Sequence, residues 1–283
     1  MKITSRVILI NSVFTLSLMS FSQTNGGGNE LNKRHYPEVE NLSFDTGEYL
    51  EYKVSYGWFS IGEAYAHVKE STIPRQGREC YEFDMRGKTG GFFKALSKVN
   101  DYWSSQVDKE SMLPLYSYRN IREGGHTKED KVKYDQLDNQ LEYSRLNKKT
   151  WEYNPFKTYE TEGMIFDLPS TILYLRTIDY SNMSKGDTIP VNAFYNKKFY
   201  DFKIIYLGKD RVKTKLGKIN CIKLKPEMPK NKIFSGKNSL RFWLSDDENK
   251  IPVKFEVDMF IGDAGLEIVK ASGLKHDTDY YRK

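Results

Sequence analysis

The histidines of this sequence, the side chains best suited to metal binding, are few and widely separated. They are His35, His67, His126 and His276. A structural zinc site uses ligand pairs about two to five residues apart, with a further ligand nearby. No two of these histidines have that spacing, so the sequence predicts no metal site.

Patterns for nucleophilic catalysis and nucleotide binding are also missing. Ser60 lies between Gly57 and Gly62, but the spacing is not that of a strand-turn-helix nucleophile elbow, so we interpret this segment as a hairpin turn. The glycine pairs at 90–91 and 124–125 are isolated doublets rather than a phosphate loop or a dinucleotide fingerprint. The sequence therefore predicts no catalytic residue and no cofactor.

Carboxylates are numerous enough to leave one catalytic alternative open. Two acids on different strands can lie at the separation that glycoside hydrolysis requires. The cluster at Asp246, Asp247 and Glu248 lacks the alternating ligands and the central glycine of a calcium loop, and we interpret it as a solvated turn. A glycan hydrolase with paired carboxylates remains an alternative to a non-catalytic protein.

The two cysteines, Cys80 and Cys221, have two possible states in an exported protein. They could form a disulfide if the folded chain brings their Cα atoms within about 7 Å. Two separate thiols are the alternative. Neither belongs to a Cys-x-x-Cys motif, so we expect no redox role.

Aromatic and basic residues near turns form the best candidate for a binding site. Aromatic rings at strand ends can line the mouth of a cavity, and a large β-barrel can enclose a ligand. The alternative is that these rings only fill a β core. The candidate ligand-binding residues are the aromatic Trp58, Phe59, Phe92, Phe93 and Trp103, with the basic Arg86, Lys88 and Arg176.

The elements that position these residues are predicted to be mainly strands. The chain has 39% hydrophobic and 14% aromatic residues, a globular composition that favours β-structure. Apolar residues alternate with polar ones in 50–56 and 81–86, as expected for strands with one buried face. Turn residues separate these segments, so we predict an antiparallel meander.

One short helix interrupts the strands. From Asp167 to about Asp179, apolar residues recur every three or four positions, Pro169 suits a first helical turn, and Asp167 could cap the start. The segments on either side, about 43–160 and 180–270, resemble each other in the spacing of a cysteine, a tryptophan and a proline. We interpret them as two similar halves of a duplicated sequence.

The predicted fold class is therefore mainly β, with one large curved sheet or barrel built from two similar halves and a short helix between them. Closure of a sheet removes strand edges that would otherwise invite aggregation. A two-sheet β-sandwich is the alternative.

The N-terminus has the pattern of a secretory signal peptide. Lys2 and Arg6 precede a mostly apolar run of about 13 residues, shorter than the roughly 20 that span a membrane, and small residues follow. Removal of these two cations leaves 44 − 2 = 42 basic against 38 acidic residues, a balance too mild to predict nucleic-acid binding. We expect a periplasmic or secreted protein with a signal peptide at 1–23, a flexible linker at 24–42, a single β domain at 43–274 and a polar tail at 275–283.

Several segments resemble one family of exported bacterial proteins, the domain-of-unknown-function family 3108. The opening segment is 47–57, Gly-Glu-Tyr-Leu-Glu-Tyr-Lys-Val-Ser-Tyr-Gly, followed by Gly-Glu-Ala at 62–64. Further similar segments lie at 166–176, 217–221 and 243–254. The resemblance covers about residues 43–270 and implies an exported envelope protein with a mainly β fold, but it implies no activity and no catalytic residue.

These observations lead to three functional hypotheses. The favoured one is a non-catalytic envelope protein that binds an apolar or amphiphilic ligand, such as a lipid or a lipid-linked glycan. The second is a structural or assembly partner of another envelope protein, and the third is the glycan hydrolase. No nucleic acid and no transmembrane segment in the mature chain are expected.

Overall fold

The computed structural model describes residues 35–91, 98–227, 240–258 and 262–278, in which fifteen strands and one helix are found. The helix, α1, is Leu168–Thr177. About 61% of the chain is strand, which confirms the mainly β prediction. The strands are β1 Tyr49–Tyr56, β2 Phe59–Glu70, β3 Cys80–Thr89, β4 Asn100–Asp108, β5 Pro114–Glu123, β6 His126–Asp135, β7 Gln140–Asn147, β8 Glu152–Tyr153, β9 Lys157–Glu160, β10 Thr188–Tyr195, β11 Lys198–Thr214, β12 Gly217–Pro226, β13 Leu240–Ser245, β14 Pro252–Asp258 and β15 Asp263–Ser272.

All the strands belong to one antiparallel meander. The order is β10-β11-β12-β13-β14-β15-β1-β2-β3-β4-β5-β6-β7-β8, with β9 also paired to β7. The two halves of the chain therefore join where the last strand, β15, pairs with the first, β1. The sheet does not close, so the curved sheet is the observed form among the predicted alternatives.

The sheet curves around α1. Leu173 packs in a core cluster with residues of β1, β2 and β3, whereas Leu175 packs with residues of β10 to β13. One short helix thus contacts both halves, because its side chains fill the concave face of the sheet. Val191 and Leu224 belong to the second cluster, and Leu50 and Val68 to the first.

The helix begins where the sequence predicts. Asp167 caps it by accepting a hydrogen bond at 2.8 Å from the backbone N–H of Ser170, and the Ser170 hydroxyl accepts one at 3.0 Å from the backbone N–H of Asp167. This reciprocal capping box satisfies two backbone donors of the first turn.

The sheet has two distinct ends. We call the end with the β1–β2, β5–β6, β7–β8 and β10–β11 turns the upper end, and the opposite end the lower end. The C-terminal turn of α1 lies at the lower end, where Arg176 contacts Glu48 and Asn249.

The segments that flank the β domain also contact the lower end. In the described part of the predicted linker, the backbone N–H of Val39 donates to the carbonyl of Glu110 at 2.7 Å. In the polar tail, the backbone N–H of His276 donates to Asn249 Oδ1 at 2.9 Å. The predicted signal peptide lies outside the described residues.

The positions of matching residues agree in the two halves. Counted from β1 and from β10, Cys80 and Cys221 lie in the third strand, and Trp103 and Trp243 lie in the fourth. The duplication of the sequence stays a prediction.

Candidate functional site

A cavity of about 160 Å³ lies between α1 and the concave face of the sheet. Leu168 and Ile172 of α1 form one wall. The facing wall comes from strands of both halves, with Tyr52, Ala64, Ala66, Phe83, Met85, Gly87 and Trp103 from β1 to β4, and Leu240, Phe255, Val257 and Leu266 from β13 to β15.

The space exists because small residues occupy inward positions on β2 and β3. Ala64 pairs with Gly87 in the register, and Ala66 pairs with Met85. In a strand, alternate residues face the same side, so Ala64, Ala66 and Gly87 all face α1. A methyl group or a hydrogen at these positions leaves room that a larger side chain would fill.

The lining is almost wholly apolar. The Tyr52 hydroxyl donates a hydrogen bond to the carbonyl of Pro252 at 2.9 Å. Arg86 is the one charged residue among those that line the cavity, but it alternates with Met85 and Gly87 and is exposed on the outer face, where its Nε donates to Asn100 Oδ1 at 3.0 Å. The cavity therefore suits apolar groups.

Of the predicted ligand-binding residues, Trp103 lines the cavity directly. Trp58 and Phe59 lie instead in the β1–β2 hairpin at the upper end, where their exposed fractions are 93% and 56%. Phe92 and Phe93 lie outside the described residues. One predicted aromatic side chain thus lies in the cavity wall and two others lie at an exposed turn, and their role in ligand binding stays a prediction.

Of the basic residues of the prediction, Arg86 is among those that line the cavity, whereas Lys88 and Arg176 are not. Lys88 lies on the outer face in an ion pair with Glu63 at 2.9 Å, because it is two residues from Arg86 and shares its face. Arg176 is fully buried, and both of its terminal nitrogens donate to Glu48 at 2.6 Å. Its role as a ligand cation is therefore corrected to a structural one.

The small residues of the cavity were missed from the sequence. Gly87 within a strand pattern was the available signal, since a glycine inside a strand often marks a close approach or a space. Ala64 and Ala66 gave no such signal, because alanine at an inward position is ordinary until the facing element is known.

The cysteines are free, buried thiols in β3 and β12. Strands β13, β14, β15, β1 and β2 lie between these two in the sheet order. The possible disulfide is therefore not formed. Burial raises the pKa of Cys80 to about 11 and that of Cys221 to about 12, so both thiols stay protonated near neutral pH.

A second feature is a buried polar cluster centred on Arg119. Its Nε and Nη2 donate to the two carboxylate oxygens of Asp130 at 3.1 and 2.6 Å, and Nη2 also donates to Asn196 Oδ1 at 3.0 Å. The guanidinium carbon lies 4.9 Å from the ring centroid of Trp103 and 4.7 Å from that of Tyr195.

This cluster has a structural explanation. Tyr195 and Asn196 belong to the β10–β11 hairpin at one edge of the open sheet, whereas Arg119 and Asp130 face inward from β5 and β6. Arg119 therefore holds the β10–β11 hairpin against the inner face of β5 and β6 through side-chain contacts rather than through backbone hydrogen bonds. Burial would raise the pKa of Asp130, but Arg119 and further cations lower it.

Two inward carboxyls, Asp101 and Glu123, lie beside this cluster. Burial and the neighbouring Asp101 carboxyl raise the pKa of Glu123 to about 8, and burial raises that of Asp101. Asp101 Oδ2 and Glu123 Oε1 have no hydrogen-bond donor, as expected if the two carboxyls share a proton. Neither residue lines the cavity against α1, so the pair gives no support to the hydrolase alternative.

We expect the stability of the protein to fall as pH rises because of Glu123. Its pKa in the folded state is about 8, against 4.5 for an ordinary glutamate. Between these values the folded state binds more protons than the unfolded state, so the free energy of unfolding decreases with pH. Urea unfolding at roughly pH 5 and pH 8 measures this change.

The Glu123→Gln variant should lose most of that pH dependence, because an amide does not titrate. Glu63→Gln, at an exposed ion pair on the outer face, serves as the matched control and should keep the wild-type slope. Equal slopes for the wild type and Glu123→Gln would contradict the shared proton.

Comparisons with known proteins agree with the resemblance and the fold. A family model described as "Protein of unknown function (DUF3108)" matches residues 51–269. The chain is also similar to a crystal structure of a β-barrel-like protein of the domain of unknown function DUF1849 from Brucella abortus, with a TM-score of 0.53 and 9% identity over 80% of this chain and 96% of that one. This likeness shows the fold alone.

Two other solved structures give weaker similarity. One is a candidate lipoprotein from Parabacteroides distasonis, with a TM-score of 0.29 and 12% identity, and the other is an exported protein with a YmcC-like fold from Bacteroides fragilis, with a TM-score of 0.27 and 8% identity. Each match covers 83% of this chain and 99% of the other. No curated protein matches the sequence. Within the described residues, no helix combines the length and the hydropathy that a membrane span requires.

Proposed function

This chain belongs to the DUF3108 family of proteins of unknown function, and we propose that it is an exported, non-catalytic protein that binds the apolar part of an amphiphilic ligand against α1. The single observation that carries this proposal is the apolar cavity of about 160 Å³ on the concave face. The signal-peptide pattern at 1–23 supports export.

The size of the cavity limits what enters it. An engineered apolar cavity of about 150 Å³ in another protein stays dry and binds benzene. The cavity here therefore has room for one ring or for a short alkyl chain, rather than for a whole lipid. A lipid or a lipid-linked glycan would place only the end of its apolar part against α1.

The expected affinity of the cavity alone is low. An alkyl segment of about five methylene groups contributes roughly 4 kcal/mol when it is buried, which corresponds to a dissociation constant of about 1 mM. Tighter binding requires contacts of the rest of the ligand outside the cavity. An amphiphile supplies such contacts, whereas a small apolar solute does not.

Fluorescence titration with N-phenyl-1-naphthylamine tests the proposal. This apolar probe fluoresces strongly only when it leaves water, and its phenyl ring is the one-ring group for which the cavity beside Trp103 has room. We expect saturable enhancement, and displacement by amphiphiles with an alkyl chain but not by the matching polar headgroups alone. No enhancement, or displacement by a headgroup without a chain, would contradict ligand binding in this cavity.

A further inference from the structure

The exposed aromatic residues are concentrated at one end of the sheet. Trp58 and Trp151 lie in the β1–β2 and β7–β8 turns of the upper end, with exposed fractions of 93% and 75%. Phe59 and Phe199, at the starts of β2 and β11, are also exposed there. Among the residues that the structure describes, the exposed large apolar side chains at the lower end are the aliphatic Leu42 and Ile73.

The backbone holds these tryptophans outward. Gly57 supplies the positive φ of 53° in the two-residue β1–β2 turn, a conformation that glycine adopts without strain. Trp151 has a φ of 58° itself, which is strained for a bulky side chain. Its backbone N–H donates to the carbonyl of Asn147 at 2.8 Å. The strain is retained at a side chain that contributes little to the core, as happens at functional positions.

The charge of the two ends also differs. In the described connections between strands at the upper end, basic residues prevail, whereas the lower-end hairpin turns carry both signs in similar numbers. The upper-end charged residues are Lys98, Lys148, Lys149 and Lys197 against Glu227, and the lower-end ones are Arg75, Arg78, Lys109, Lys215 and Lys250 against Glu79, Glu110, Asp138, Asp246, Asp247 and Glu248.

We propose that the upper end docks on a membrane surface that contains anionic lipid. Tryptophan is enriched at the membrane interface because its ring is apolar while its N–H reaches water. Anionic headgroups attract the lysines that lie beside the tryptophans, and each lysine raises the affinity of the protein for the membrane by about fivefold. Exposed tryptophans together with an excess of lysines at one end fit a membrane surface better than an acidic protein. An acidic protein would bind the lysines without requiring exposed tryptophans.

The position of the cavity agrees with an orientation of the protein in which the upper end of the sheet faces the membrane. Arg176, near the C-terminus of α1, lies at the lower end, and Leu168, at its N-terminus, lines the cavity. Gly87, Leu240 and Val257 of the facing wall lie close to the upper ends of their strands. The helix therefore occupies the lower part of the interior, and the cavity lies on its upper side.

Flotation with phosphatidylcholine vesicles, with and without phosphatidylglycerol, tests the docking surface in the full chain. We expect binding only to the anionic vesicles, with an affinity that falls as salt rises. The Trp58→Ser/Trp151→Ser and Lys148→Glu/Lys149→Glu variants should each bind at least tenfold more weakly. Ile73→Ser and Lys185→Glu, exposed at the lower end, are the matched controls and should bind like the wild type.

The possible outcomes separate docking from ligand binding. Both pairs of upper-end variants should keep the wild-type probe titration in the absence of vesicles, which also shows that they fold. Equal vesicle binding by upper-end and lower-end variants, or no binding of the wild type to anionic vesicles, would overturn the proposal. Loss through the lysines alone would also overturn it, because a polyanion rather than a membrane would then suffice.

Discussion

Replacement of Arg176 by methionine should lower the free energy of unfolding by about 3–5 kcal/mol, because it leaves the buried Glu48 carboxylate without its partner. Arg176 and Glu48 have exposed fractions of 0% and 1%, and their bidentate contacts are both 2.6 Å. Arg176 also donates to the carbonyl of Asn249 at 2.9 Å. Urea unfolding followed by circular dichroism measures the change.

Two further variants distinguish the effect of losing the ion pair from the effect of losing side-chain volume. Arg176→Met/Glu48→Leu removes both charges and should recover much of the lost stability, since an apolar pair in a buried site often replaces an ion pair at little cost. Arg86→Met, on the exposed outer face, should change stability by less than about 0.5 kcal/mol. A decrease of under about 1 kcal/mol for Arg176→Met would show that α1 does not depend on this anchor.

Filling the cavity should abolish binding of the apolar probe while the fold persists. In Ala64→Leu/Ala66→Leu, two branched side chains enter the space between the sheet and α1, so we expect the probe affinity to fall by at least tenfold. The added groups occupy an existing cavity rather than a packed core, so the free energy of unfolding should change by less than the roughly 1–3 kcal/mol of overpacking.

A variant of opposite effect and a control complete this test. Ile172→Ala removes side-chain atoms from the α1 wall of the cavity and should admit amphiphiles with a longer chain. His67→Leu changes the residue after the second alanine, which faces outward by alternation and does not line the cavity, and should leave the titration unchanged. Normal probe binding by the filled variant would place the ligand elsewhere on the protein.

The sequence predicts the elements better than it predicts the site. The alternation in β1 and β3 and the cap at Asp167 depend on neighbouring residues, so local patterns were sufficient. The cavity depends on which strand faces α1 and on how far the sheet curves around it. Those are long-range properties, which is why Ala64, Ala66 and Ile172 carried no signal.

The dependence on long-range contacts also explains why the positions of the basic residues were hard to predict from the sequence. Lys88 was predicted near a ligand although its spacing from Met85 and Gly87 already puts it on the opposite face of β3. Arg176 faces the inside, but its partner Glu48 is distant in sequence, and only the curvature of the sheet brings the two together. Pairing across a fold is not visible in a single sequence without aligned relatives.

Native mass spectrometry of the protein purified from the envelope of its own cells tests ligand binding most directly. We expect a bound amphiphile that adds mass to the chain, that organic extraction removes, and that is absent from Ala64→Leu/Ala66→Leu purified in the same way. A bare mass for the wild type, indistinguishable from that of the filled variant before extraction, would contradict the proposal that the cavity holds a ligand.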